Sequence, residues 1–329
     1  MRYFVTGATG FIGGYLVRQL VARGHKVVAL VRSPKKVQAL ADLGVELHKG
    51  DITDRESLRA PMTGADGVFH LAAWYKLGAR DTSMAEPVNV GGTRNVLEMM
   101  RELGIPRGVY TSTVAVFSDT KGRTVDESYR YDGPHLSEYD RTKWKAHYEV
   151  ALPMMRQGLP LVVVQPGLVY GPGDESSVHE TFVSYLKGKL PVLPAGTAYC
   201  WGYVEDMAMA HILAMESGRT GECYITAGPP HTLIDAMATA QRITGIRAPK
   251  MHMPPGVLRF MAGITKVAGA VLPLPAMYSA ETLRATAGVT NLASSEKAKR
   301  ELGFTARSLE EGLRPTLEYE MRNLGMTAV

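Results

Sequence analysis

The chain has 329 residues, 45% hydrophobic and 21% charged, which excludes a disordered or fibrous protein and allows a full α/β domain with a smaller companion region. A net charge of +5 includes no Lys/Arg run of the length that marks a nucleic-acid patch, so no nucleic-acid partner is expected, and the mild positive balance suits an anionic cofactor. Two cysteines, Cys200 and Cys223, make no disulfide framework and lie in no C-x-x-C or histidine-rich context, so a reducing, cytoplasmic setting and no metal site are expected.

Strand-like and helix-like segments alternate from the start. Tyr3-Phe4-Val5 reads as a strand that runs straight into a glycine-rich loop, leaving no room for a signal peptide. A helical pattern with Ile12, Leu16, Leu20 and Val21 follows and stops near Gly24. Lys26 to Val31 is a β-branched strand, Lys36 to Leu43 a helix, Val45 to His48 a strand and Gly67 to Leu71 another. Val88 to Leu103 reads as a helix ending at Gly104, Arg107 to Thr111 as a strand and Glu138 to Leu152 as a helix that Pro153 ends or kinks. Leu161 to Val164 is wholly apolar, as suits a strand buried on both faces. This alternation predicts right-handed βαβ units around one mostly parallel sheet.

After Val164 proline and glycine become frequent, and Cys223 to Thr226 is one more strand. The predicted division is a dinucleotide-binding domain over residues 1–170, rejoined by 200–228, and a discontinuous substrate-binding region from 171–199 and 229–329. Gly256 to Pro273 is the most apolar late stretch, but Arg259 and Lys266 interrupt it and argue against a membrane span. It is expected to be a helix covering the substrate pocket, with a helix lying in a membrane interface as the alternative.

Gly7-Ala8-Thr9-Gly10-Phe11-Ile12-Gly13 lies between the first strand and the first helix. Gly7 and Gly10 let a phosphate approach the backbone, Gly13 lets helix pack on strand, and the helix N-terminus offers free N–H groups to a diphosphate. This context predicts a doubly wound, Rossmann-type fold holding a nicotinamide dinucleotide. Arg32, with Ser33, Lys35 and Lys36, closes the second strand where an acidic residue would receive the ribose 2′-OH of NAD. An arginine there accommodates a 2′-phosphate, so NADP(H) is favoured over NAD(H).

Tyr139 and Lys143 are four residues apart, on one face of a helix. A nearby ammonium lowers a phenol's pKa, making an acid/base pair. Thr111-Ser112-Thr113 ends the preceding strand, where this fold places its ligands and where a hydroxyl can bond a substrate oxygen.

These residues resemble the extended short-chain dehydrogenases/reductases of the NAD-dependent epimerase/dehydratase superfamily, over nearly the whole chain. Asp51-Ile52 resembles the adenine-contacting pair, and His70-Leu71-Ala72-Ala73 the fourth-strand motif along the cofactor. Asn89 to Asn95 resembles the helix that follows, and Pro166-Gly167-Leu168-Val169 the segment beside the nicotinamide. The resemblance implies that Tyr139 is the acid/base, that Lys143 lowers its pKa and holds the nicotinamide ribose, and that Thr113 orients the substrate oxygen. Ser112 competes with Thr113 for that last role. Thr111 is implied as a cofactor contact and His70 as a hydrogen-bonded residue beside the cofactor.

Departures from the pattern bear on the reaction. Val114-Ala115-Val116 replaces the acidic residues that follow the threonine in sugar-nucleotide dehydratases, and Gln165 and Leu168 stand where epimerases usually carry Arg and Asn. What remains most resembles the dihydroflavonol 4-reductase-like branch, which transfers hydride between NADPH and a carbonyl. A nucleotide-sugar epimerase with tightly bound NAD and a non-catalytic cofactor-binding regulator are the alternatives. Trp74, Tyr75, Tyr199 and Trp201 are candidate pocket aromatics for an apolar or ring-bearing substrate. The resemblance also implies a homodimer built on the helices Val88 to Leu103 and Glu138 to Leu152.

Overall fold

The computed structural model describes residues 1–33, 37–268 and 279–326. Lys36, expected near the cofactor, lies outside the described residues. The first half alternates as β1 (Arg2–Thr6), α1 (Phe11–Ala22), β2 (Lys26–Val31), α2 (Gln38–Ala41), β3 (Glu46–Lys49), α3 (Glu56–Met62), β4 (Gly67–His70), α4 (Thr93–Glu102), β5 (Gly108–Thr111), α5 (Glu138–Lys145), α6 (Leu152–Arg156) and β6 (Leu161–Pro166). The second half holds β7 (Leu168–Tyr170), α7 (Ser177–Leu186), β8 (Val192–Pro194), β9 (Ala198–Tyr203), α8 (Val204–Ser217), β10 (Cys223–Thr226), β11 (Pro230–Thr232), α9 (Leu233–Thr244), β12 (Met251–Met253), α10 (Pro255–Ala268), α11 (Ala280–Ala285), β13 (Thr290–Asn291), α12 (Glu296–Leu302) and α13 (Leu309–Asn323).

The main sheet has seven strands in the order β10-β6-β5-β4-β1-β2-β3, every pair parallel. The order reverses between β1 and β4, so a crevice opens outside their carboxyl ends, the place where such sheets bind ligands. Buried apolar side chains cover both faces. Leu16, Leu20, Val109, Val164 and Ala208 lie on one, and Val28, Leu97, Met100, Val163 and Val150 on the other. That two-sided burial is why β6 is continuously apolar.

The helices depart from the predicted spans for identifiable reasons. The helix expected over 36–43 is only Gln38–Ala41 among the described residues. The helix expected from Val88 opens as a wide π-turn, Pro87–Gly92, before α4. The one bearing Tyr139 contains a second π-turn, Ala146–Ala151, and then continues through Pro153 to Arg156. Proline falls in the first turn of α6, where its missing N–H is tolerated. Helix α3 was not predicted; it is seven residues long and contains Pro61, too short to show a clear period.

A second sheet joins β11, β9 and β13, with β7 also paired to β9, and packs on Phe182, Met237, Leu313 and Leu317. Residues 200–203 belong to this sheet through β9, and the chain rejoins the main body from Val204 as α8 and β10. Ala298, Leu302 and Phe304 also pack into the main core. Among the described residues no helix is long and apolar enough to cross a membrane.

Candidate active site

The glycine loop is shaped by close approaches that a side chain would block. Gly7 has φ of +75°, and a Cβ on it would lie 2.6 Å from the amide nitrogen of Ala72. A Cβ on Gly13 would lie 2.0 Å from the carbonyl oxygen of Gly7. The Gly10 N–H donates to that same oxygen at 2.9 Å. Helix α1 then starts at Phe11 with no side-chain cap and no acidic residue in its first turn. Its N–H groups and partial positive charge therefore face outward beside exposed Thr9 and Gly10, with Phe11 and Ile12 half-buried. This cradle fits a diphosphate.

Leu71, Ala72 and Ala73 leave β4 directly against Gly7. They are held by Thr6, whose hydroxyl accepts from the Ala72 N–H at 3.3 Å and lies 2.7 Å from His70 Nδ1. Nε2 of His70 lies 3.0 Å from the Thr93 hydroxyl. Burial, with the Lys143 charge second, pushes the His70 pKa down to about 3. His70 is thus a neutral, hydrogen-bonded buttress with both ring nitrogens used.

Arg32 is exposed at the carboxyl end of β2. The Asp51 carboxylate accepts from the Thr53 N–H at 2.9 Å and its hydroxyl at 2.8 Å. Ile52 is buried beneath Gly92, where an added Cβ would come within 2.4 Å of its Cδ1, and the Asn95 amide donates to its carbonyl at 2.8 Å.

Thr113, Tyr139 and Lys143 come together beyond the end of β5. The Thr113 hydroxyl accepts from the Ala115 N–H at 3.1 Å, capping the turn Val114–Phe117, and lies close enough to the Tyr139 phenol to favour its ionised form. Ser112 is buried, and its hydroxyl lacks a hydrogen-bond partner among the described residues. Lys143 is 3% exposed. Its ammonium donates to the Thr111 carbonyl at 2.7 Å and the Tyr110 hydroxyl at 3.1 Å. Burial lowers its pKa to about 7.

The expected lowering of the Tyr139 pKa is not what the structure shows. Burial raises it, the charges of Tyr75 and Asp140 add to the rise, and only the nearby Thr113 hydroxyl opposes. Lys143 spends its donors on β5, so the cost of a buried phenolate dominates. Thr111 is likewise engaged: its hydroxyl lies 2.8 Å from His211 Nε2, and its carbonyl anchors Lys143.

The aromatic candidates separate. Tyr75 meets Tyr139 edge to face, with centroids 4.8 Å apart. Tyr199 is half-buried on β9 and donates to the Ala285 carbonyl at 3.4 Å. Trp74 is held through its backbone by Asn89, which bonds both its N–H and carbonyl. Trp201 does not fit a pocket role: it is 1% exposed, edge-on to Tyr170, with its indole N–H on the His231 carbonyl. Its large apolar surface fills the core of the second sheet. Pro166 and Gly167 are buried where β6 passes into β7, and a Cβ on Gly167 would lie 2.3 Å from the Cys200 carbonyl oxygen. Val169 is half-buried on β7 and packs against the main core.

Two acidic residues near this site escaped the sequence reading. Asp140 is 8% exposed beside Tyr139, and burial pushes its pKa up to about 7. Its place in the first turn after Ser137 was a visible signal. Glu281, on α11, accepts from the Gly78 N–H at 2.9 Å and the Glu138 N–H at 2.8 Å. It ties the Tyr75 loop to the start of α5 from 203 and 143 residues away, and no local pattern announces it. Among the described residues no group of three or more His, Cys, Asp or Glu could hold a metal ion.

Residues 3–227 match the model of the NAD dependent epimerase/dehydratase family. A putative dihydroflavonol 4-reductase of Synechocystis sp. is 33% identical over 325 residues, covering 96% of this chain and 94% of the relative. Sterol demethylase protein B of Methylococcus capsulatus is 34% identical over 267 residues, 80% of each chain. The crystal structure of gox2253 superposes with a TM-score of 0.86 at 30% identity, covering 99% of both chains.

Proposed function

The chain belongs to the NAD dependent epimerase/dehydratase family and is an NAD(P)-dependent oxidoreductase of the extended short-chain type, and on that premise we propose that it is an NADP(H)-dependent reductase. Its substrate in this reading is a ketone or aldehyde, or in reverse a secondary alcohol, on a small apolar or ring-bearing compound. The observation that carries the reading is the meeting of the Thr113 hydroxyl and the Tyr139 phenol beside Lys143 at the carboxyl end of β5.

The loop from Gly7 to Gly13 and the N-terminus of α1 hold the diphosphate, and Arg32 takes the 2′-phosphate. Asp51 and Ile52 flank the adenine. Leu71, Ala72, Ala73, Pro166, Gly167 and Val169 wall the nicotinamide end. The bound nicotinamide supplies or accepts a hydride. Thr113 orients the substrate oxygen by a hydrogen bond. In the reductive direction the proton on Tyr139 Oη passes to that oxygen, leaving an alcohol and a phenolate. Burial opposes that phenolate and the Thr113 hydroxyl favours it, while Lys143, anchored on β5, holds the nicotinamide ribose. Tyr75 and Tyr199 give the substrate wall its aromatic character. The relatives' names, a dihydroflavonol reductase and a sterol demethylase protein, are of ring-bearing chemistry too.

The test is NADPH oxidation against a panel of ketones, flavanonols and steroids. At least one is expected to turn over, and Tyr139→Phe is expected to lower kcat by about 100-fold or more with NADPH affinity unchanged. No turnover anywhere, or a Tyr139→Phe enzyme equal to the wild type, sinks the proposal. The proposed homodimer, formed through α4 and the helix bearing Tyr139, is checked by sedimentation.

A further inference from the structure

The net charge of the chain is concentrated in one place. Residues 236–280 contain five Lys/Arg (Arg242, Arg247, Lys250, Arg259 and Lys266) and no Asp or Glu, so the rest of the chain balances at 32 against 32. Arg242 is paired with Glu310. Arg247, Lys250 and Arg259 are exposed and form no ion pair among the described residues, though the Arg259 guanidinium donates to the Ala287 carbonyl at 3.3 Å. The same stretch carries α10, an amphipathic helix with an unusual outer face. Its inner side, Leu258 and Ala262, packs on Leu283 and Ala287. Its outer side presents Val257 at 45%, Phe260 at 70% and Ile264 at 53% exposure, spaced i, i+3 and i+7, with Met251 at 70% on the adjoining β12. Large apolar side chains in water at helical spacing, set among cations and free of acids, are a binding face.

We propose that α10 and β12 dock this protein peripherally on an anionic lipid surface. Val257, Phe260, Ile264 and Met251 enter the headgroup boundary, while Arg247, Lys250 and Arg259 face the lipid phosphates. Charge complementarity selects this occupant. A cationic stretch without acidic residues that carries an apolar strip matches anionic headgroups over an acyl layer, each cation adding attraction at the surface. The inference does not depend on the substrate. It does have a geometric consequence: α10 packs on α11, whose Glu281 holds both the Tyr75 loop and the start of α5, so docking places the site's mouth near the lipid.

The test is sedimentation of the full chain with vesicles of phosphatidylcholine alone and of phosphatidylcholine with phosphatidylglycerol. The wild type is expected to pellet with the anionic vesicles, weakly with the neutral ones, and to be released by salt. Phe260→Asp with Ile264→Asp is expected to lower the partition coefficient on the order of tenfold or more. Arg259→Glu with Lys250→Glu, which leaves the apolar strip intact, is expected to remove the preference for anionic vesicles. Thermal melts of both variants confirm that they fold. Failure of the wild type to bind anionic vesicles overturns the proposal, as does undiminished binding by the folded Phe260→Asp/Ile264→Asp variant. A wild-type dimer that dissociates on Phe260→Asp and ignores vesicles assigns the face to a second copy and also overturns it.

Discussion

Replacing Asp140 by asparagine isolates the energetic consequence of placing a carboxyl beside the candidate acid/base. Burial raises the Asp140 pKa from 3.8 to about 7, against the opposing hydrogen bond from Ser137. In the unfolded chain the group ionises near its ordinary value, so the native state binds the extra proton between the two. Its contribution to stability is therefore present at low pH and is lost as pH rises through about 7. At about 1.36 kcal/mol per pKa unit, the loss reaches about 4 kcal/mol above neutrality. Asparagine has nearly the same shape, keeps an acceptor for Ser137 and does not titrate. Urea unfolding of both proteins at pH 4.5 and pH 8 is expected to show relative stability swinging toward Asp140→Asn by about 3 kcal/mol. The opposite titration of Lys143, whose lowered pKa makes stability rise above about 7, is common to both proteins and cancels. A stability difference that is the same at both pH values would refute the claim that Asp140 is buried at this cost.

Gly13→Ala places a methyl 2.0 Å from the Gly7 carbonyl oxygen. It is expected to destabilise by about 1–3 kcal/mol or more and to abolish NADPH fluorescence enhancement; an unaltered binding isotherm contradicts the cradle. Arg32→Asp is expected to raise the KM for NADPH by roughly 10- to 100-fold while sparing NADH, since a charged hydrogen bond is worth about 1.5–3 kcal/mol. Equal effects on both cofactors reject the 2′-phosphate assignment. Glu281→Ala leaves the N–H groups of Gly78 and Glu138 without their carboxylate partner. Stability is expected to fall by about 1–3 kcal/mol and the substrate KM to rise with little change in kcat. Unchanged melting and KM would show that the clamp is idle.

The glycine loop, the continuously apolar β6 and the Tyr139/Lys143 spacing were legible in the linear sequence because each is a local requirement. A cradle needs glycines at set intervals, a two-face-buried strand needs a continuous apolar run, and a shared helix face needs an interval of four. The place of Arg32 just after β2 was legible for the same reason, since it follows from the strand. Three things were decided only in three dimensions. Trp201 became core because β7 and β9 pair and the second sheet closes over it. Lys143 points its ammonium at Thr111 and Tyr110, so desolvation rather than the lysine charge dominates the phenol of Tyr139. Glu281 reaches the site across 143 residues, which no periodicity encodes. Burial and long-range hydrogen bonding depend on which surfaces meet, and only the tertiary fold fixes that.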